Sequence, residues 1–272
     1  MSVQLLDPSD AAVLETFVVP RYLCYFGEAT LDMLLVSHAA NVIHLGCRTG
    51  YPDALVARRL TSGYIVGLDP SQSAIELARA KGALIPSVTT DYEHLGGYPT
   101  RFPAAAFTHG ITLHPPVLPA LRRPLLSEMA RLIVPRGQLL VSLPMRGSFQ
   151  ELFDLLREYA VKIGSQELSR AADAATAMRP TVDGLTRELG EVGFTRIDVE
   201  LRPMSLGFQS GRDLMEDPIV RLLILPEIRS ALGLDDVAAP MRYIEDAINR
   251  YWSEETFELT LNVGCASARR AE

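Results

Sequence analysis

Two short stretches of this chain, Asn41-Val-Ile-His-Leu-Gly-Cys-Arg-Thr-Gly50 and Gly67-Leu-Asp-Pro70, hold the residues whose types and spacing could do chemistry. A short apolar run ends in a glycine-bearing turn, a helix-like segment follows, and a second apolar run from Tyr64 to Leu68 ends in an acid. That order is a β-α-β unit whose first turn receives a ligand and whose second strand delivers a carboxylate to a ribose. The glycines fall at 46 and 50 with Arg48 between them, so the G-x-G-x-x-G of a dinucleotide site is missing. With no second cofactor motif either, a nucleotide-binding oxidoreductase is disfavoured.

The elements that must position these residues read off the apolar periodicity. Residues 8 to 37 form two helices broken near Pro20, the second carrying Tyr22, Tyr25 and Phe26. Strands are expected at 41–45, 64–68, 86–90 (ending at Asp91), 105–111 and 138–143. Ser71 caps the helix after the second strand, and Thr181 caps one whose buried stripe is Val182, Leu185, Leu189 and Val192. The last two strands alternate cleanly, with Ile197, Val199 and Leu201 in one and Phe257, Leu259, Leu261 and Val263 in the other. Alternation marks antiparallel strands with one face half-exposed, whereas the first, second and fifth strands read as buried parallel ones. Residues 266 to 272 read as a short tail.

In that setting the turn resembles motif I of the class I S-adenosylmethionine (SAM)-dependent methyltransferases of the small-molecule type, commonly D-x-G-C-G-T-G. Arg131-Leu-Ile-Val-Pro-Arg-Gly-Gln-Leu-Leu140 is similar to the family's R-x-L-x-P-G-G-x-L connector, with Arg136 in place of its first glycine. Leu185 to Phe194 resembles the helix and turn leading into the sixth strand. The resemblance covers about residues 40 to 201 and resumes at the last strand. It implies a Rossmann-like α/β fold with a seven-stranded, mostly parallel sheet and an antiparallel last strand. It implies SAM as cofactor, with His44, Gly46, Cys47, Arg48 and Gly50 in the first turn, Asp69 and Pro70 on the ribose, and Asp91 with Tyr92 at the adenine. Tyr22 would lid the cofactor or, equally in keeping with its helix, pack in the core.

Two positions depart from motif I: His44 stands for the acid and Arg48 for the middle glycine. Family members also carry Ala or Ser at the second position, so positive φ is not demanded there. An arginine has three options: to fold outward, to clamp the SAM carboxylate with its fork, or to fill the site. His44, while neutral, can accept a bond from the SAM ammonium; protonated, it repels it, so affinity should weaken as pH falls through the histidine pKa, near 6.5 if unperturbed. Methyl transfer needs alignment and sometimes a base. The candidate bases are His109 and His114, on and just after the fourth strand.

The rest of the chain bounds the function. One methyltransferase-like domain over 1–272 is expected: an amino-terminal helical lid (1–40), a cofactor-binding core (41–143), cap insertions (144–180 and 203–254), and the remaining sheet (181–202 and 255–265). Both insertions leave from the ligand-binding rim of the sheet and would cover a small, partly apolar acceptor, or serve as packing helices or a homo-oligomer surface. A net charge of −7 with no basic stripe argues against nucleic acid. Cys24, Cys47 and Cys265, widely spaced with no C-x-x-C, form neither a disulfide framework nor a zinc site, and no metal-ligand cluster stands out. The first residues lack a signal peptide's basic and apolar regions, and no run is long enough to span a bilayer, so a cytoplasmic protein is expected. The rival expectation is a degenerate member, a binding or scaffold module whose SAM site is disrupted by His44 and Arg48.

Overall fold

The computed structural model describes residues 5–35, 39–60, 62–234 and 236–272. The reading of Met1 to Gln4 as free of a targeting signal lies outside these, as do the last two residues, 36 and 37, of the helical region expected over 8 to 37. The chain opens with helix α1 (Pro8–Val13), a π-helix (Leu14–Leu23) and α2 (Cys24–Met33) in unbroken succession. Pro20 sits inside the π-helix and does not end it. Proline lacks the N–H that a helix interior needs, and the wider π turn is one way to absorb that loss.

The core alternates β1 (Ala40–Leu45), α3 (Asp53–Ala57), β2 (Gly63–Asp69), α4 (Gln72–Gly82), β3 (Thr89–His94), β4 (Phe107–Leu113), α5 (Pro119–Leu132) and β5 (Ile133–Pro144). Helices α6 (Gln150–Lys162), α7 (Gln166–Met178) and α8 (Val182–Glu191) lead to β6 (Phe194–Phe208). Then come α9 (Gly211–Glu216), a second π-helix (Val220–Ile224), α10 (Leu225–Leu232), α11 (Ala238–Tyr251) and β7 (Phe257–Arg270). The seven strands form one sheet in the order β3-β2-β1-β4-β5-β7-β6. All neighbours are parallel except β7, which runs antiparallel to both β5 and β6. This is the mixed sheet expected from the sequence.

Side chains alternate across the sheet and feed two cores. Val42, Ile65 and Ile111 join the amino-terminal helices and α6, α7, α10 and α11 on one face. Ile43, Val66 and Leu139 meet α5 and α8 on the other. Strands β1, β2 and β5 are covered on both faces, which is why they read as buried apolar runs.

Several boundaries move, with consequences for the site. Strand β3 is an edge strand running to His94, so Asp91 lies mid-strand beside Val66 and is exposed. Its polar sequence is that of an edge open to water. Strand β4 ends at Leu113, placing His114 at its carboxyl tip and His109 near its beginning. Ser71 occupies the N-cap of α4, but its hydroxyl donates to Leu6 O and accepts no bond from the helix's N–H groups. Thr181 caps α8 as expected, accepting from Gly184 N. The supposed tail from 266 is the second half of β7, with Ala266 and Ala268 buried between β5 and β6.

Candidate functional site

The turn after β1 is built on backbone hydrogen bonds to the end of β2: Gly46 N and Cys47 N both donate to Leu68 O, at 2.8 and 3.2 Å. Gly46 has φ +71°, and a Cβ there would meet no atom within 4 Å, so the turn faces open space. Arg48 has φ +48°, left-handed backbone that costs a non-glycine residue about 1–2 kcal/mol. The inference from Ala and Ser in relatives that this position does not demand positive φ is therefore corrected. Three bonds hold the strained residue. Its N–H donates to Asp69 Oδ2 at 2.9 Å, and its guanidinium donates from Nη1 to Leu113 O (2.9 Å) and from Nη2 to His114 O (3.0 Å). The arginine neither swings clear nor lies loose; it ties the first turn to the tip of β4.

Asp69 is buried, and its other oxygen accepts from Ser71 N at 2.8 Å. Each carboxylate oxygen carries one backbone donor and retains a lone pair for a further one. Beside it lies a cavity of about 260 Å³ whose wall includes Gly46, Arg48, Asp69, Pro70, Thr112 and His114. Leu95 and Tyr98 after β3, Leu121 and Leu125 of α5, and Leu222, Leu223 and Glu227 of the second insertion also line it. The Thr112 hydroxyl is buried without a hydrogen-bond partner, a polar group on the cavity wall that a ligand could satisfy.

The floor of the cavity is a buried cluster drawn from four distant parts of the chain. His114, itself at φ +50°, places Nε2 3.0 Å from Tyr22 Oη and 3.6 Å from Glu227 Oε2. Glu227 accepts from Arg179, whose guanidinium also lies over the Phe149 and Phe153 rings at 4.9 and 5.4 Å. Burial, reinforced by the positive charges of Arg48 and Arg179, pushes the His114 pKa well below that of an ordinary histidine. Burial raises Glu227 against the opposing pull of Arg179, and raises Tyr22. At neutral pH the imidazole is uncharged and can accept a proton. Sequence reasoning missed Glu227 and Arg179. The available signal was a lone acid following the apolar run Ile219 to Pro226, and an arginine immediately ahead of a Pro-Thr helix cap.

Other candidates lie elsewhere. His44 is fully buried; Nδ1 is 2.7 Å from Asp53 Oδ1, while Nε2 has no partner. Tyr92 donates to the other Asp53 oxygen at 2.9 Å and packs with Cys47, Ile75 and Ala78 behind the turn. Gly50 abuts Ala78 and Tyr92 in the same place. The structure thus gathers His44 and Tyr92 around Asp53 and leaves Cys47, Gly50 and Asp91 off the cavity wall. Tyr22 reaches the site only through His114. His109 is not at the site: Nε2–H donates to Leu35 O at 3.2 Å, and Nδ1 is 2.8 Å from Thr108 Oγ1. Among the described residues no three His, Cys, Asp or Glu side chains are grouped to hold a metal, and no helix is long and apolar enough to cross a membrane.

Comparison with known proteins meets this geometry. Residues 43–141 match the family model of the methyltransferase domain. No curated protein matches the chain. Among solved structures, YcgJ from Bacillus subtilis is 10% identical, with a TM-score of 0.57 over 92% of this chain and 99% of its own. A SAM-dependent methyltransferase from Methanosarcina mazei is 12% identical, with a TM-score of 0.53 over 89% and 96%. Phosphoethanolamine N-methyltransferase 2 of Haemonchus contortus, in complex with phosphomonomethylethanolamine and S-adenosylhomocysteine, is 14% identical, with a TM-score of 0.56 over 98% and 59%. At such identities the likeness is one of fold.

Proposed function

We propose that this chain, whose residues 43–141 match the methyltransferase domain model, binds SAM beside Gly46 and transfers a methyl group to a small, partly apolar acceptor. The observation that carries the reading is a single cavity joining the motif I turn and Asp69 to an apolar wall from the second insertion, Leu222 and Leu223. The residues present fit the cofactor: open space at Gly46, lone pairs left on Asp69 for ribose hydroxyls, an unpartnered Thr112 hydroxyl, and an Arg48 fork with N–H groups to spare for a carboxylate. Bound SAM supplies an electrophilic methyl group. The chain's own residues do the rest. Arg48 and Asp69 orient the ligand, the insertions exclude water, and neutral His114 takes the acceptor's proton, with Tyr22 and Glu227 fixing the ring. Cytoplasmic residence, a cap built from 144–180 and from the part of 203–254 that lies beyond the end of β6 at Phe208, and the absence of a nucleic-acid partner belong to the same proposal.

Two observations favour the second reading, a binding module without turnover. The Arg48 guanidinium is already bonded to two carbonyls at the cavity wall, and about 260 Å³ is below the roughly 300–1,000 Å³ of small-molecule sites. Thermal shift separates the two. A ligand at a hundred times its dissociation constant adds about 2.7 kcal/mol to the native state. SAM and S-adenosylhomocysteine should therefore each raise the Tm of the native chain by about 5–10 °C. No shift in the native chain, with one appearing in Arg48→Gly, would establish the second reading.

A further inference from the structure

We propose that the opposite rim of the sheet carries a second binding site, for a small phosphate-bearing molecule. A cavity of about 530 Å³ opens where β5 and β6 begin and β7 ends, and it is lined by Arg136, Arg196, Arg269 and Arg270 together with Thr195, Ala271 and Glu272. Four arginines and one side-chain carboxylate line it, on a chain whose net charge is −7. Among the described residues no ion pair joins any of the four to an acid, whereas Arg122, Arg131 and Arg179 each have one and Arg157 has two. Gathering unpaired like charges costs energy that the fold does not recover internally.

The backbone adds a second, independent sign. Arg136 and Arg196 both have left-handed φ, +67° and +48°. Such strain in non-glycine residues collects at functional sites. At 136 the family connector carries glycine, which would adopt that conformation freely. Two of the forks are also fixed in place. Arg270 donates from Nε to Ala130 O (2.6 Å) and from Nη1 to Gly193 O (2.7 Å), and Arg269 donates to Arg136 O (3.3 Å). Gly193, at φ +97°, leaves room for this: a Cβ there would stand 2.5 Å from Arg270 Nη1 and displace the guanidinium.

Arginine forks match phosphate oxygens in pairs, and several lining one cavity suit a dianion. The volume falls within the roughly 300–1,000 Å³ of small-molecule sites. A polymer backbone would need a basic stripe leading away from the cavity, which an acidic chain does not supply. The site lies on the other end of the strands from Gly46 and stands or falls independently of methyl transfer.

Isothermal titration of the full chain with inorganic pyrophosphate should show saturable binding. It should weaken about tenfold in Arg136→Gly and again in Arg196→Gly, and weaken with added salt. Glycine suits both backbone positions, so the Tm of these variants should hold or rise. In the native chain, pyrophosphate should also protect Arg136 and Arg196 from phenylglyoxal, read by mass spectrometry, which needs no variant to fold. Absence of saturable binding, unchanged affinity in the double variant, or unprotected arginines would overturn the proposal. A single-stranded oligonucleotide binding more tightly than pyrophosphate through the same arginines would overturn the small-molecule assignment.

Discussion

Replacing Arg48 with glycine sets strain against hydrogen bonding, and the structure gives both magnitudes. Relief of the left-handed backbone at φ +48° returns about 1–2 kcal/mol. Against that stand two bonds from a charged donor to Leu113 O and His114 O, each worth about 1.5–3 kcal/mol when buried and about half that for this half-buried side chain. Glycine's unfolded-state entropy costs a further 0.5–1 kcal/mol, roughly. The balance is a destabilisation of about 1–2 kcal/mol, or roughly 2–8 °C in Tm. Binding is the sharper readout. Two of the five guanidinium N–H groups are committed, leaving three for a ligand carboxylate. S-adenosylhomocysteine should therefore bind Arg48→Gly about tenfold more weakly, while methylthioadenosine, which lacks the amino-acid end, should bind both proteins alike. Titration calorimetry with the two ligands tests this. Tighter S-adenosylhomocysteine binding by the variant would refute the clamp and show that the side chain obstructs the site. Failure of methylthioadenosine to bind either protein would refute the nucleoside site itself.

Other expectations follow from the same geometry. Folding depresses the His114 pKa below its unfolded value near 6.5, so the unfolded chain takes the proton first as pH falls. The stability tied to neutral His114 is intact above about pH 6.5 and lost below it. Glu227, raised by burial, acts in the opposite sense above its own unfolded value, so the comparison is between native chain and His114→Asn: Tm profiles from pH 8 to 5 should diverge only below about 6.5. The acid limb of kcat/KM for methyl transfer should likewise lie well below 6.5, and a limb at or above that value would remove His114 as the base. Asp69→Asn keeps one acceptor but sets an amide N–H against a backbone N–H at Arg48 or Ser71. It should cost about 1–3 kcal/mol in chemical denaturation and abolish detectable S-adenosylhomocysteine binding; a variant that still binds would move the ribose elsewhere. Ending the chain after Cys265 removes the pairing of Ala266 to Arg269 with β5 and β6 and should eliminate cooperative unfolding, whereas a true tail could be cut without effect.

What the sequence disclosed divides along a physical line. The β1 turn and Asp69 were legible because both are local: a strand covered on two faces, a glycine at its end, and a carboxylate at the end of the adjoining strand lie close together in the chain. His114 was legible as a strand-end residue, although the two-residue displacement of β4 had to be seen before it parted company with His109. Strand β7 was cut short for the opposite reason. Alternation is a signal of one wet face, and from Gly264 to Ala268 the strand is buried on both, with small residues where Met145 and the flanking strands leave no room for larger ones. The period therefore fades where the burial is deepest. Asp91 misled through the converse effect, since an edge strand open to water can carry acids at any register. Glu227 and Arg179 were out of reach because their meaning exists only as a pair: each is one charge in an insertion, and only packing of α7 against α10 turns them into a buried couple beneath His114. Arg48 shows the limit most directly. Its identity was plain from the outset, but whether it obstructs or serves depends on a left-handed backbone and on two carbonyls at the tip of β4, which no pattern within the turn encodes.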